Sequence, residues 1–148
     1  MRAVTIPSVL VVKDSDEVFD TVQMALKASC LRCAVRRTVN GNGGLALSRG
    51  RGRMLPRPVV VLQDSNPPGM DGRDALGLIK GDPDLPDLPV VALTTSSNPR
   101  DRGFYYHAGV NAFHGKPLCH DEHPDFLRRV LAHWLGFAVL PSVHGATA

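Results

Sequence analysis

Five short apolar runs, each followed by a stretch long enough for a helix, constrain this chain more than any single residue does. The runs are VLVV at 9–12, CAVRR at 33–37, VVVL at 59–62, VVAL at 90–93 and VNAF at 110–113, bounded by Asp, Pro, Gly or Asn. Short, β-rich and so bounded, they read as strands. The stretches between them, 16–29, 44 to about 51, 72–80, 99–108 and finally 121–135, read as helices. In the first, Val18, Val22, Ala25, Leu26 and Ser29 fall at helical spacing. Strand-helix alternation of this kind predicts an α/β fold, (βα)5, with right-handed crossovers and a buried parallel sheet. With 148 residues, 43% of them hydrophobic, the chain has material for one core. No linker or repeat divides it, so one domain over 1–148 is expected.

The order of elements decides where chemistry can sit. In open parallel sheets the reactive groups collect outside the carboxyl ends of the strands. That edge receives Lys13 and Asp14 after the first strand, Asp64 after the third, Thr94 after the fourth and Lys116 after the fifth. Each has an ordinary explanation alone, since Asp and Pro open turns and lysines are usually solvated. Their arrival together at one edge from four strands points to a site.

Composition removes other classes. The formal charge is +3, and Arg36, Arg37, Arg49, Arg51 and Arg53 are grouped without interleaved aromatic rings, so a solvated face is favoured over nucleic-acid binding. The N-terminal apolar stretch is short, broken by Pro7 and ended by Lys13 and Asp14, unlike a signal peptide or membrane span. An odd count of three cysteines suggests reduced thiols and a cytoplasmic location. Cys30 and Cys33 have redox spacing but straddle a helix end and a strand start, and two structural thiols are the favoured reading. GNGG at 41–44 lacks the Lys and hydroxyl of a phosphate loop. His120 and His123 flank two acids at the start of the last helix, where a solvated N-terminus outweighs metal binding.

The ordered motifs VLVVKD, VLQDSNPPGMDG, LPVVALTT and AFHGKP resemble the receiver domain of two-component response regulators over roughly residues 8–135. The resemblance implies a flavodoxin-like sheet of order 2-1-3-4-5 with helices on both faces. It implies a phosphoacceptor at Asp64 and Mg²⁺ held by Asp14, Asp64 and the Asn66 backbone carbonyl. Thr94 matches the switch hydroxyl, Phe113 the switch aromatic, and Lys116 the phosphate-binding lysine before a cis proline, Pro117. A protein of this kind is a phosphoacceptor rather than an enzyme with an external substrate. Asp71, beyond the Pro-Pro-Gly turn, is expected to cap the third helix with Gly72.

One position departs from that pattern. Lys13 stands where the family carries the first of two consecutive acids. An inward Lys13 leaves Asp14, Asp64, Lys13 and Lys116 formally neutral, where the family's acid would leave −2. Weakened Mg²⁺ affinity with activity retained is favoured; a phosphate-independent pseudo-receiver interaction module is the alternative. A flavin or nucleotide binder is disfavoured because no phosphate loop follows the first strand.

The stretches LPVVALTTSSNPRD and VLAHWLGFAVLP resemble, more narrowly, the single-domain regulators that partner phytochromes and bacteriophytochromes. That implies a histidine kinase of the bacteriophytochrome type as partner, with a downstream phosphotransfer protein as a further one. No output domain is expected after residue 148. In the tail, Phe126, Val130, Trp134 and Phe137 lie near helical spacing, and apolar residues continue past Gly136 to Pro141. Residues 136–148 therefore read as an extension, with Trp134, Phe137, Val139 and Leu140 at a homodimer interface as the favoured reading and the tail packed back on its own domain as the alternative.

Overall fold

The computed structural model describes residues 7–12, 16–28, 33–38, 57–64, 76–95 and 98–141, with the backbone alone at 16–19, Asp64 and His120. Five strands, β1 (Ser8–Val12), β2 (Ala34–Thr38), β3 (Val60–Asp64), β4 (Val90–Thr94) and β5 (Ala112–Gly115), form one sheet. All neighbours pair in parallel, in the order β2-β1-β3-β4-β5. The described helices are α1 (Asp16–Ala28), α2 (76–80), α3 (Pro99–His107) and α4 (His123–Leu131). A 3₁₀ turn at His120–Glu122 precedes α4, and a π-helical turn at Ala132–Phe137 follows it. The sequence segments 44–51 and 72–75 lie outside the described residues.

Strand alternation splits the core into two layers, as a sheet buried on both faces requires. Val9, Val11, Val60, Leu62, Val91 and Leu93 pack with Val22 and Leu26 of α1 and Leu127, Val130 and Leu131 of α4. On the other face Leu10, Val12, Val61, Val90 and Ala92 meet Leu76 and Ile79 of α2 and Tyr105 of α3. The edge strand β2 carries Arg36, half-buried, and Arg37, exposed, and charge on an edge discourages pairing with another chain. Arg49, Arg51 and Arg53 lie outside the described residues.

The helix signals behave as their chemistry dictates. Asn98 accepts from the Arg100 N–H at 2.9 Å, and Pro99 opens α3. At the other end Val110 N–H donates to the Tyr105 carbonyl (3.0 Å) and Gly109 N–H to that of Tyr106 (3.1 Å). This is a Schellman cap with Gly109 at φ +107°. A Cβ at Gly109 would lie 3.1 Å from Cγ of Lys80, so the backbone conformation and the close approach both call for glycine.

That cap corrects the expected fifth strand. Val110 is the cap's buried hydrophobic contact, and Asn111 spends its side-chain oxygen on Val90 N–H (2.9 Å) and Lys80 Nζ (2.8 Å). Asn111 N–H donates to the Val90 carbonyl at 2.8 Å, and the paired strand itself runs from Ala112, two residues later than the VNAF run suggests.

Candidate functional site

Because all five strands run the same way, their carboxyl ends share one edge. Asp64 is the last residue of β3 and pairs with Leu93; Thr94, one residue further, ends β4 and pairs with Gly115 of β5. Lys116 follows directly, and its N–H donates to the Thr94 carbonyl at 2.7 Å. Asp64, Thr94 and Lys116 thus leave three adjacent strands side by side. Lys13 and Asp14 follow Val12 in the sequence; with Asn66 and Asp71 they lie outside the described residues.

The hydroxyl and the ring expected to form a switch share a face of the sheet. Thr94 is buried at the end of β4, in alternation with Val90 and Ala92 of the second core layer. Phe113 pairs in register with Ala92 and is half-buried against the same layer. Its ring lies 5.8 Å from that of Tyr105, tilted by 53°. Tyr105 is fully buried, and its hydroxyl has no hydrogen-bond partner among the described residues. Gln63, next to Asp64, is also buried, a polar residue following the apolar run Val60–Leu62 of the same strand.

Beyond Lys116 the chain is tied down by a residue whose role the sequence concealed. His123, the first residue of α4, holds its Nε2 at 2.8 Å from the Pro117 carbonyl oxygen. It is half-buried, while Asp121, Glu122, Pro124 and Asp125 around it are exposed, so the expected solvated helix N-terminus holds for the acids and is corrected for His123 alone. Its partner is a backbone carbonyl six residues away, which no residue-type motif encodes.

The tail divides into two parts. Trp134 is half-buried against the α1/α4 core layer, and its indole N–H donates to His114 Nε2 of β5 at 3.3 Å. Burial, and then the neighbouring His133, push the His114 imidazole below its ordinary range. His133 stands edge-on to Trp134 at 5.2 Å. Phe137 and Val139, by contrast, are 82% and 98% exposed, while Leu140 is half-buried. The π turn explains Phe137. On α-helical winding it would continue the stripe of Val130 and Trp134; the wider turn, closed by Ala138 N–H to the His133 carbonyl at 2.7 Å, rotates it off.

The weaker motifs gain nothing. Burial pushes the Cys33 thiol up to about 11, away from thiolate chemistry, and Cys30 lies outside the described residues, as does GNGG. Among the described residues no three His, Cys, Asp or Glu side chains gather to hold a metal, and no helix is long and apolar enough to cross a membrane.

No family model matches the chain. Response regulator Rcp1 of Synechocystis sp. is 33% identical over 136 residues, covering 90% of this chain and 92% of that protein. The structure of the Mn²⁺-bound form of Rcp1 superposes with a TM-score of 0.80 at 33% identity, over 92% of this chain and 99% of that one. The phosphorylated cyanobacterial phytochrome response regulator RcpA gives 0.81 at 31% identity, over 93% and 100%. A response regulator in red light signalling of R. palustris gives 0.78 at 29%, over 93% and 99%.

Proposed function

The chain belongs to the receiver family of two-component response regulators, and from that premise we propose that it accepts a phosphoryl group from a histidine kinase on Asp64. The observation that carries this is the convergence of Asp64, Thr94 and Lys116 at the ends of three adjacent strands. A carboxylate oxygen of Asp64 attacks phosphorus, the bond to the donor's nitrogen breaks, and the phosphoryl group stays as a mixed anhydride. The obstacle is repulsion between two anions. Lys116 offsets it as a point charge on a mobile stem.

The oxygen donors Asp14, Asp64 and the Asn66 carbonyl fit by type a hard divalent cation such as Mg²⁺, and Lys13, next to Asp14 in the sequence, carries a charge that opposes it. When bound, the ion supplies charge neutralisation at the phosphoryl oxygens. Thr94 gives its hydroxyl to a phosphoryl oxygen, and Phe113 fills the space it leaves. A charge event at the edge becomes a change of surface.

The relatives that are phytochrome or red-light regulators support a kinase of the bacteriophytochrome type, and with it a cytoplasmic location. The domain acts without catalytic turnover of an external substrate. It is read out by a partner or by onward transfer to a phosphotransfer protein. Phe137 and Val139, exposed beyond the last helix, serve a homodimer contact. Lys13 favours a second reading, a pseudo-receiver that binds partners without phosphate. Incubation with Mg²⁺ and acetyl phosphate followed by intact mass separates the two: one added phosphoryl group supports the phosphoacceptor, and an unchanged mass supports the interaction module.

A further inference from the structure

We infer that His123 is a positioning residue for Lys116, acting through the Pro117 carbonyl; this rests on the reading of Lys116 as the group that meets the phosphoryl oxygens. Lys116 is held from two sides. Its N–H is fixed on the Thr94 carbonyl at 2.7 Å, and the residue after it is fixed by His123 Nε2 at 2.8 Å. A carbonyl oxygen only accepts, so Nε2 carries the hydrogen and His123 donates. Proline's ring sets its own φ, so holding the Pro117 oxygen orients Pro117 as a unit and, with it, the peptide that follows Lys116.

The same bond ties the first residue of the last helix to the segment after β5. Glu122, at the N-cap position, makes no side-chain capping bond. The imidazole therefore closes the 118–122 loop between the end of β5 and the first turn of α4. It also joins the Lys116 segment to the helix that carries Val130, Leu131 and, beyond them, Trp134.

The test is a double-substitution cycle on the full chain, reading the rate of phosphorylation by acetyl phosphate with Mg²⁺ from intact mass. His123→Ala is expected to slow phosphorylation by roughly 3- to 10-fold, the range of one net hydrogen bond. His123→Gln, whose amide nitrogen reaches a similar place, keeps the rate within about 2-fold of wild type. In a Lys116→Ala background, removing His123 costs nothing further, because the group it positions is gone. If His123→Ala costs as much with Lys116 absent as present, its effect is general and the inference falls while the reading of Lys116 stands. If Lys116→Ala leaves the rate unchanged, that reading fails and takes the inference with it. Should His123→Ala not fold, His123→Met, which fills the space without a donor, takes its place in the cycle.

Discussion

Tyr105→Phe is expected to make the protein more stable. The Tyr105 ring is fully buried, edge-on to Phe104 at 5.9 Å and tilted against Phe113 at 5.8 Å, and its hydroxyl has no partner among the described residues. The ring contacts survive the substitution; only the unpaired hydroxyl is removed. An unsatisfied buried hydroxyl costs about 1–3 kcal/mol, so removing it should stabilise by about that much. For a chain of this size each kcal/mol moves Tm by about 2–4 °C. Tyr105→Ala provides the contrast, since losing the ring as well should cost about 3–5 kcal/mol. Urea unfolding and a melting curve on the three proteins measure both. A Tyr105→Phe protein less stable than wild type by about 1 kcal/mol would refute the reasoning, because the hydroxyl would then be bonded.

The His114 imidazole is lowered by burial first and by His133 second, so the folded state resists its protonation. Its stabilisation is fully present above the unfolded value of about 6.5 and is lost as pH falls from there through the folded value. Melting curves from pH 7.5 to 5 should slope down more steeply for wild type than for His114→Gln; equal slopes would assign the acid loss elsewhere. Lys13→Asp should bind Mg²⁺ several-fold more tightly, by removing a positive charge and restoring an acid. Equal affinities in a titration would mean that Lys13 points away from the metal. Phe137→Asp combined with Val139→Asp should give a monomer by light scattering with little change in melting, whereas Trp134→Ala should lower melting because Trp134 packs on its own core. A wild type that stays monomeric at about 100 μM, a working concentration at which micromolar dimers form, would sink the dimer.

The sequence made the sheet legible because a parallel strand buried on both faces is a nearly unbroken apolar run: VLVV, VVVL and VVAL leave little else to choose. It also made legible the residues that end those runs, which is why Asp64, Thr94 and Lys116 could be named from spacing alone. What it hid depends on cooperation between distant groups. Val110 and Asn111 look like strand residues, yet one seals the cap at Gly109 and the other turns its side chain onto Lys80 and Val90. Phe137 has the spacing of a buried stripe, and only a change of helical winding puts it in water. His123 reads as one polar residue among several; its bond to Pro117 exists because the chain turns back on itself between β5 and α4. Tyr105 sits in a helix of otherwise polar character and is nevertheless buried.

The central claim is that Asp64 carries the phosphoryl group, and a mass measurement tests it most directly. Wild type, Asp64→Asn and Asp71→Asn are each incubated with Mg²⁺ and acetyl phosphate and weighed intact. Asp64 ends a central strand, one register position from Thr94, whereas Asp71 follows the Pro-Pro-Gly turn in the sequence. Wild type and Asp71→Asn should each gain one phosphoryl group, while Asp64→Asn gains none. A full gain on Asp64→Asn, with loss on Asp71→Asn, would contradict the assignment.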